Sequence, residues 1–235
     1  MTTNEIMTEL KAMENEQIKK ILLKHGVKEP FFGVKVEQLK TIQKKIKKDY
    51  ALAKGLYATG NADAMYLAGL IADDEKMTTA DLDSWVKAAT SSNISEYTVP
   101  WVAAGSPYGY EIALKWINNP KEHIAAAGWC TLSNLAALKP DAQLDIANYK
   151  RLLEVGEKNI HSAANRVRYA INGFIIATGA YITALTNDAI TTANKIGPVH
   201  VDMNGTACKV PSATEYIEKI KDRGNLGKKK KTVKC

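Results

Sequence analysis

The sequence predicts an all-α protein of stacked helix hairpins, and three observations carry that prediction. Apolar residues recur at the three-to-four-residue spacing of amphipathic helices along most of the chain. The connections between these segments are short and hold turn residues: Gly60, Gly105, Asn118-Asn119-Pro120, Lys139-Pro140 and Gly197-Pro198. There is no clear alternation of strand with helix, so antiparallel helix pairs are the way to bury the apolar stripes. At 235 residues, 46% of them hydrophobic, the chain can build a substantial core. It shows no strict internal period, so a helical array has to be made of divergent units.

The elements follow in order. Ile6, Leu10, Met13 and then Ile18, Ile21, Leu22 mark the first one or two helices, and Val36, Leu39, Ile42, Ile46 mark the next. Asn61 is placed to cap a helix through Met65, Leu67 and Leu70, and Thr78 or Thr79 one over 80–90 that carries Leu82, Trp85 and Val86. Ser106 with Pro107 opens a helix through Ile112, Leu114 and Trp116. Further helices are expected over 124–138, 141–155, 163–176, 188–195 and 211–223. Between the last two, residues 199–210 alternate about Asn204-Gly205, the strongest short signal for a β-hairpin. In that register Cys208 points away from His200 and Asp202, so the three do not form a metal-ligand set.

Charge and composition narrow the function classes. The formal charge is +7, and residues 219–235 account for all of it with seven Lys and one Arg against one Asp. Within the neutral remainder, residues 35–54 are basic and residues 55–150 acidic. The N-terminal segment lacks the apolar block of a secretory signal, and the uncharged run 170–187 is broken by Asn, Gly and Thr. A cytoplasmic, non-membrane protein is therefore expected. Cys130, Cys208 and Cys235 have no disulfide or zinc spacing, and no His has a metal-like partner three or four residues away. Cys130 is expected to pack and the histidines to serve surface or capping roles.

The stretch Ser95-Glu-Tyr-Thr-Val-Pro-Trp101 concentrates a carboxylate, two aromatics one turn apart and a proline. On a continuous helix Glu96 lies one turn before Pro100, and Tyr97 pairs with Trp101. Alternatively Thr98 caps a helix that starts at Pro100, with the aromatics serving as packing. Arg166 and Arg168 also stand out, because the chain has four Arg against 28 Lys and Arg is the preferred planar phosphate ligand.

The segment Phe31-Phe-Gly-Val-Lys-Val-Glu-Gln-Leu-Lys-Thr-Ile42 resembles the entry motif of the AlkD-type alkylpurine DNA glycosylases, and a weaker likeness in order and spacing extends over residues 4–195. This resemblance implies an α-solenoid of HEAT-like repeats over 1–196, followed by a hairpin and helix over 197–223 and a basic flexible tail over 224–235. It implies a monomer that holds double-stranded DNA containing 3- or 7-alkylated purines on a basic concave face, without metal or nucleotide cofactor. The alignment sets Glu96 where such enzymes have a Trp, Pro100 where they have the catalytic Asp, Ala126 where they have an Arg and Gly173 where they have a second Trp. If base release is retained, Glu96 becomes the carboxylate that stabilises charge developing on the sugar. Trp101 and Trp129 become the stacking faces, and Arg166 or Arg168 the phosphate ligand. Lys228, Lys229, Lys230 and Lys231 add sequence-independent affinity through counterion release. Two other readings fit the same residues: a non-catalytic binder of DNA or RNA structure, and a protein-interaction scaffold.

Overall fold

The computed structural model describes residues 1–89 and 91–235, and every regular element among them is helical. By internal contacts the chain divides into two compact units. The first comprises Met1–Tyr108 with Met203–Thr206 and Lys234–Cys235; the second comprises Gly109–Asp202 with Ala207–Val233.

The first unit holds α1 (Thr3–Ala12), α2 (Glu16–Lys24), α3 (Val36–Ile46), α4 (Tyr50–Ala58), α5 (Ala62–Ile71), α6 (Thr79–Ala88) and α7 (Val99–Gly105). Side-chain caps set most of the starts: Thr2 with Glu5 and Thr78 with Asp81 form capping boxes, and Asn15, Asp49 and Asn61 accept first-turn N–H groups. The expected end of α6 at Thr90 lies outside the described residues. Helix α5 is the centre of this unit; nine of its ten residues are buried, and it packs on α1, α3, α4 and α7.

The entry motif is a junction folded around one carboxylate. Asp63, buried near the start of α5, accepts backbone N–H bonds from Phe32 (2.5 Å), Gly33 (3.0 Å) and Val34 (3.1 Å). Gly33 sits at φ +75, and a Cβ there would stand 2.7 Å from both Asn15 O and Lys19 N. Glycine is thus needed twice, for the left-handed backbone and for the close approach to α2. Phe31 fills the core beneath, and Phe32 O accepts the Asn15 N–H at 3.0 Å.

The second unit holds α8 (Gly109–Trp116), α9 (Glu122–Leu138), α10 (Ile146–Asn159), α11 (Asn165–Tyr181), α12 (Thr186–Ile196) and α13 (Ala213–Asp222). Helices α9 and α11 form its core pair, and α8 closes on α9 at Gly128, where a Cβ would meet Ile117 N at 2.7 Å. The small run Ala125–Gly128 is therefore a close-packing device, as its composition suggests. Helix α10 begins later than expected because Asp145 caps it through the Asn148 N–H, leaving 141–143 as a 3₁₀ turn. Helix α11 extends to Tyr181, five residues past the apolar stripe that predicted it.

The expected hairpin is not a hairpin. Asn204 and Gly205 both have positive φ, and the Thr206 N–H reaches Met203 O at 3.1 Å, so the turn forms as read. No strand flanks it among the described residues. In the second unit the backbone of 200–202 takes its partners from α11 instead. Asn165 exchanges two bonds with Asp202 (2.7 and 2.8 Å), and Arg168 Nη1 donates to His200 O at 3.0 Å. A side-chain amide has replaced the facing strand.

No single helix among the described residues is long and apolar enough to cross a membrane. Nor do those residues gather three or more His, Cys, Asp or Glu that could hold a metal ion. Cys130 is half-buried, and Cys208 and Cys235 are exposed. His161 Nε2 lies 3.0 Å from Ile196 O at the end of α12, a capping position.

Candidate nucleic-acid interface

In the first unit, Pro100 lies within a continuous helical run and is not preceded by a cap. Residues Ile94–Thr98 form a π turn that passes directly into α7, and the Val99 N–H reaches five residues back to Ile94 O. An α-helical Pro100 would drive its ring into the Glu96 carbonyl; the wider π turn removes that clash. Thr98 has helical dihedrals and makes no side-chain cap, which corrects the reading of it as a helix start. Its hydroxyl is buried without a partner.

This turn decides where the Glu96 carboxylate lies. Glu96 is 4% exposed, walled in along with Ser95 and Thr98, while its neighbour Tyr97 is 47% exposed. Trp101 is buried; its ring meets Tyr66 edge-on at 5.3 Å and Tyr97 at 6.3 Å. The Tyr97–Trp101 pairing expected from one-turn spacing is therefore present, with Tyr97 as the member that reaches solvent. Burial and a bond with the Cys235 side chain push the Tyr66 hydroxyl above the ordinary phenol range. Sequence reasoning overlooked Tyr66, since nothing in the pattern of α5 marks it apart from its neighbours.

Trp129, Arg166 and Arg168 belong to the second unit. Trp129 is 3% exposed and packs on Phe174 (5.0 Å), which stacks on Tyr149 (5.7 Å) and so on to Tyr110 (6.4 Å). It is a core residue with no face left for a base or sugar, and leaves the candidate set. Arg166 is half-buried with its guanidinium over the Tyr169 ring at 4.6 Å. Its backbone N–H donates to Glu122 at 2.8 Å, so a carboxylate from α9 caps the first turn of α11, where the N-cap Ala164 has no side chain to do so. Arg168 donates from Nε to Ala163 O at 2.9 Å and from Nη1 to His200 O. Its planar fork binds backbone carbonyls and holds the 200–202 segment.

The lysine run is tied to helix ends. Gly227 N–H donates to Ala180 O (2.8 Å) in the last turn of α11, and Lys230 N–H to Ala137 O (2.8 Å) in the last turn of α9. Lys229 Nζ reaches Ala136 O (2.9 Å) and Asp141 (2.8 Å), and Lys228 bonds Asn225 at 2.7 Å. The ammonium of Lys230 lies 5.7 Å from the centre of the Tyr181 ring, and Lys231 is exposed. In the first unit Lys234 repeats the pattern: its Nζ meets Ala72 O at the end of α5 (3.1 Å) and Asp74 (2.7 Å). Burial raises the Asp74 carboxyl and lowers the Lys234 ammonium from their ordinary values. Cations at the negative poles of helices, satisfying their orphan carbonyls, are a structural use of this segment. The exposed lysines that remain include Lys44 and Lys47 of the basic stretch in the first unit.

Comparison with known proteins bears on what such a surface serves. The family model for DNA alkylation repair enzymes matches residues 6–217. An uncharacterized protein of Listeria innocua serovar 6a is 33% identical over 231 residues, spanning 96% of this chain and 100% of that one. Another from Listeria monocytogenes serovar 1/2a is 32% identical over 229 residues, 95% and 99% of the two chains. A solved structure aligns with a TM-score of 0.92 and 36% identity over 100% of both chains. It is from a family related to the HEAT-like repeat DNA glycosylases with affinity for branched DNA structures. The helical repeat architecture implied by the entry motif is the fold observed.

Proposed function

The chain belongs to the DNA alkylation repair enzyme family, and from that premise we propose that it binds branched double-stranded DNA as a structure-selective protein and does not excise alkylated bases. Hydrolysis of an alkylpurine nucleoside needs a carboxylate facing the sugar as positive charge develops there. The carboxylate that the resemblance offers for this role, Glu96, is 4% exposed, and this is the observation that carries the reading. The branched-DNA affinity of the structural relative at 36% identity supports the choice of target. Affinity comes from lysines on phosphate, Lys44 and Lys47 among them, and therefore falls steeply with salt. Tyr97 supplies the exposed aromatic face for a base left unstacked at a branch.

The test compares a four-way junction with a linear duplex of the same composition, each over a salt series, beside release of 7-methylguanine from methylated DNA. The reading expects at least tenfold tighter binding to the junction, a steep salt slope and no base release. Equal affinity for both DNAs, or base release abolished by Glu96→Gln, overturns it; the second result restores the glycosylase assignment with Glu96 as charge stabiliser.

A further inference from the structure

The last two residues of the chain belong to the first unit, and they meet it on α5. The Lys234 side chain, 14% exposed, enters a corner between the Ala72 carbonyl that ends α5 and the 3₁₀ turn Asp74–Lys76. Asp74 is 15% exposed, and its carboxyl lies against the last residue of α7: a Cβ on Gly105 would stand 2.8 Å from Asp74 Cγ. The neighbouring Asp73 is answered by Lys48 (3.8 Å) and Lys76 (3.3 Å). Without the Lys234 ammonium, the Asp74 carboxylate would stay largely buried at the negative pole of α5, beside a second carboxylate, where its charge is least tolerated. One buried cation thus secures the end of α5, the 3₁₀ turn and the end of α7 together.

The helices joined in this way are the ones that hold the exposed tyrosine. The ring of Tyr66 on α5 meets Trp101 on α7 edge-on at 5.3 Å, and Trp101 meets Tyr97 at 6.3 Å. Gly69 on α5 sits so close to the turn before α7 that a Cβ there would stand 2.5 Å from Thr98 Cγ2. Cys235, the residue after Lys234, adds a bond to Tyr66. Glu96 and Thr98, on either side of Tyr97, are buried, so the backbone that bears Tyr97 moves only with α7. We infer that Lys234 is a positioning residue for branched DNA: by locking α7 onto α5 it fixes Tyr97 in the orientation that stacks a base left unpaired at the branch. This inference rests on the role proposed for Tyr97 and adds the group that sets its place. Lys234 acts on the DNA without touching it.

The test is a double-mutant cycle on the full chain with Lys234→Met and Tyr97→Ala. It reads affinity for a four-way junction and for a linear duplex, with a 2-aminopurine at the branch whose fluorescence reports stacking. Far-UV circular dichroism at the assay temperature verifies folding, and Lys234→Gln, which keeps a donor for Ala72 O, is the milder second variant. Loss of one stacked base is expected to weaken junction binding about tenfold in Lys234→Met, in step with the fluorescence change, and in the same direction in Lys234→Gln. Duplex binding stays within about twofold, and neither Lys234 variant has a further effect once Tyr97 is alanine. A duplex affinity that falls in parallel, as loss of a phosphate ligand requires, overturns the inference. So does an undiminished effect in the Tyr97→Ala background. Junction affinity that Tyr97→Ala lowers and both Lys234 variants leave unchanged overturns the inference alone. Junction affinity and fluorescence unmoved by Tyr97→Ala overturn the stacking role of Tyr97 itself, and this inference with it.

Discussion

Removing the Asp63 side chain tests the account of the entry motif directly. Asp63→Ala leaves the N–H groups of Phe32, Gly33 and Val34 without their acceptor; the Gly33 and Val34 bonds are buried, and the Phe32 bond half-buried. An unsatisfied buried donor costs about 1–3 kcal/mol, so the two buried donors set a loss of roughly 2–6 kcal/mol. Water reaching the new space and relief of the carboxylate's own desolvation bring the expectation to roughly 2–4 kcal/mol. For a chain of this size that is a fall of roughly 4–16 °C in midpoint, read by thermal and urea unfolding. The pH dependence has a definite sign. Burial raises the Asp63 carboxyl from its ordinary value, outweighing the three N–H bonds that pull it down. The folded state therefore holds the proton more tightly than the unfolded state, and the stability from that preference is full below about pH 4. It is lost as pH rises through the folded-state value. The destabilisation by Asp63→Ala must then be larger at acid pH than at pH 7. A loss under about 1 kcal/mol, or a penalty that grows towards neutral pH, refutes the reasoning.

Two further substitutions separate structural from nucleic-acid roles. Trp129→Ala, by emptying the Trp129–Phe174–Tyr149 row, is expected to cost about 3–5 kcal/mol in urea unfolding. The DNA affinity of the fraction that remains folded should stay within twofold. Lys229→Ala takes a cation from the last turn of α9 and from Asp141; the expectation is a loss of about 1 kcal/mol with faster amide exchange confined to the end of α9. A large change in DNA affinity with unaltered exchange would return Lys229 to the DNA ligands.

Most helices were legible because periodicity, caps and breakers act over a few residues, and Asn61 and Thr78 cap α5 and α6 as read, whereas α4 was not marked out. The Asn-Gly turn was legible for the same reason. Its strands were not, because the competition between a facing strand and the Asn165 amide is a contest between distant residues. Glu96 sits in a turn whose form the sequence left open and Trp129 on a well-marked helix, but helical spacing says only which residues share a face. It does not say which neighbour covers that face.

By itself the sequence determined that this chain is mostly helical and where most of its helices begin, and its residues 31–42 resemble the entry motif of its family. The helices and their starts are written in local geometry. Only the tertiary structure decided that the motif is built around Asp63, that a π turn at Pro100 encloses Glu96, and that the lysines of the last segment answer helix carbonyls. The Asp63 junction and the lysine contacts depend on which donors and acceptors found each other across 29 or more residues of chain, a matter of packing that local geometry leaves open.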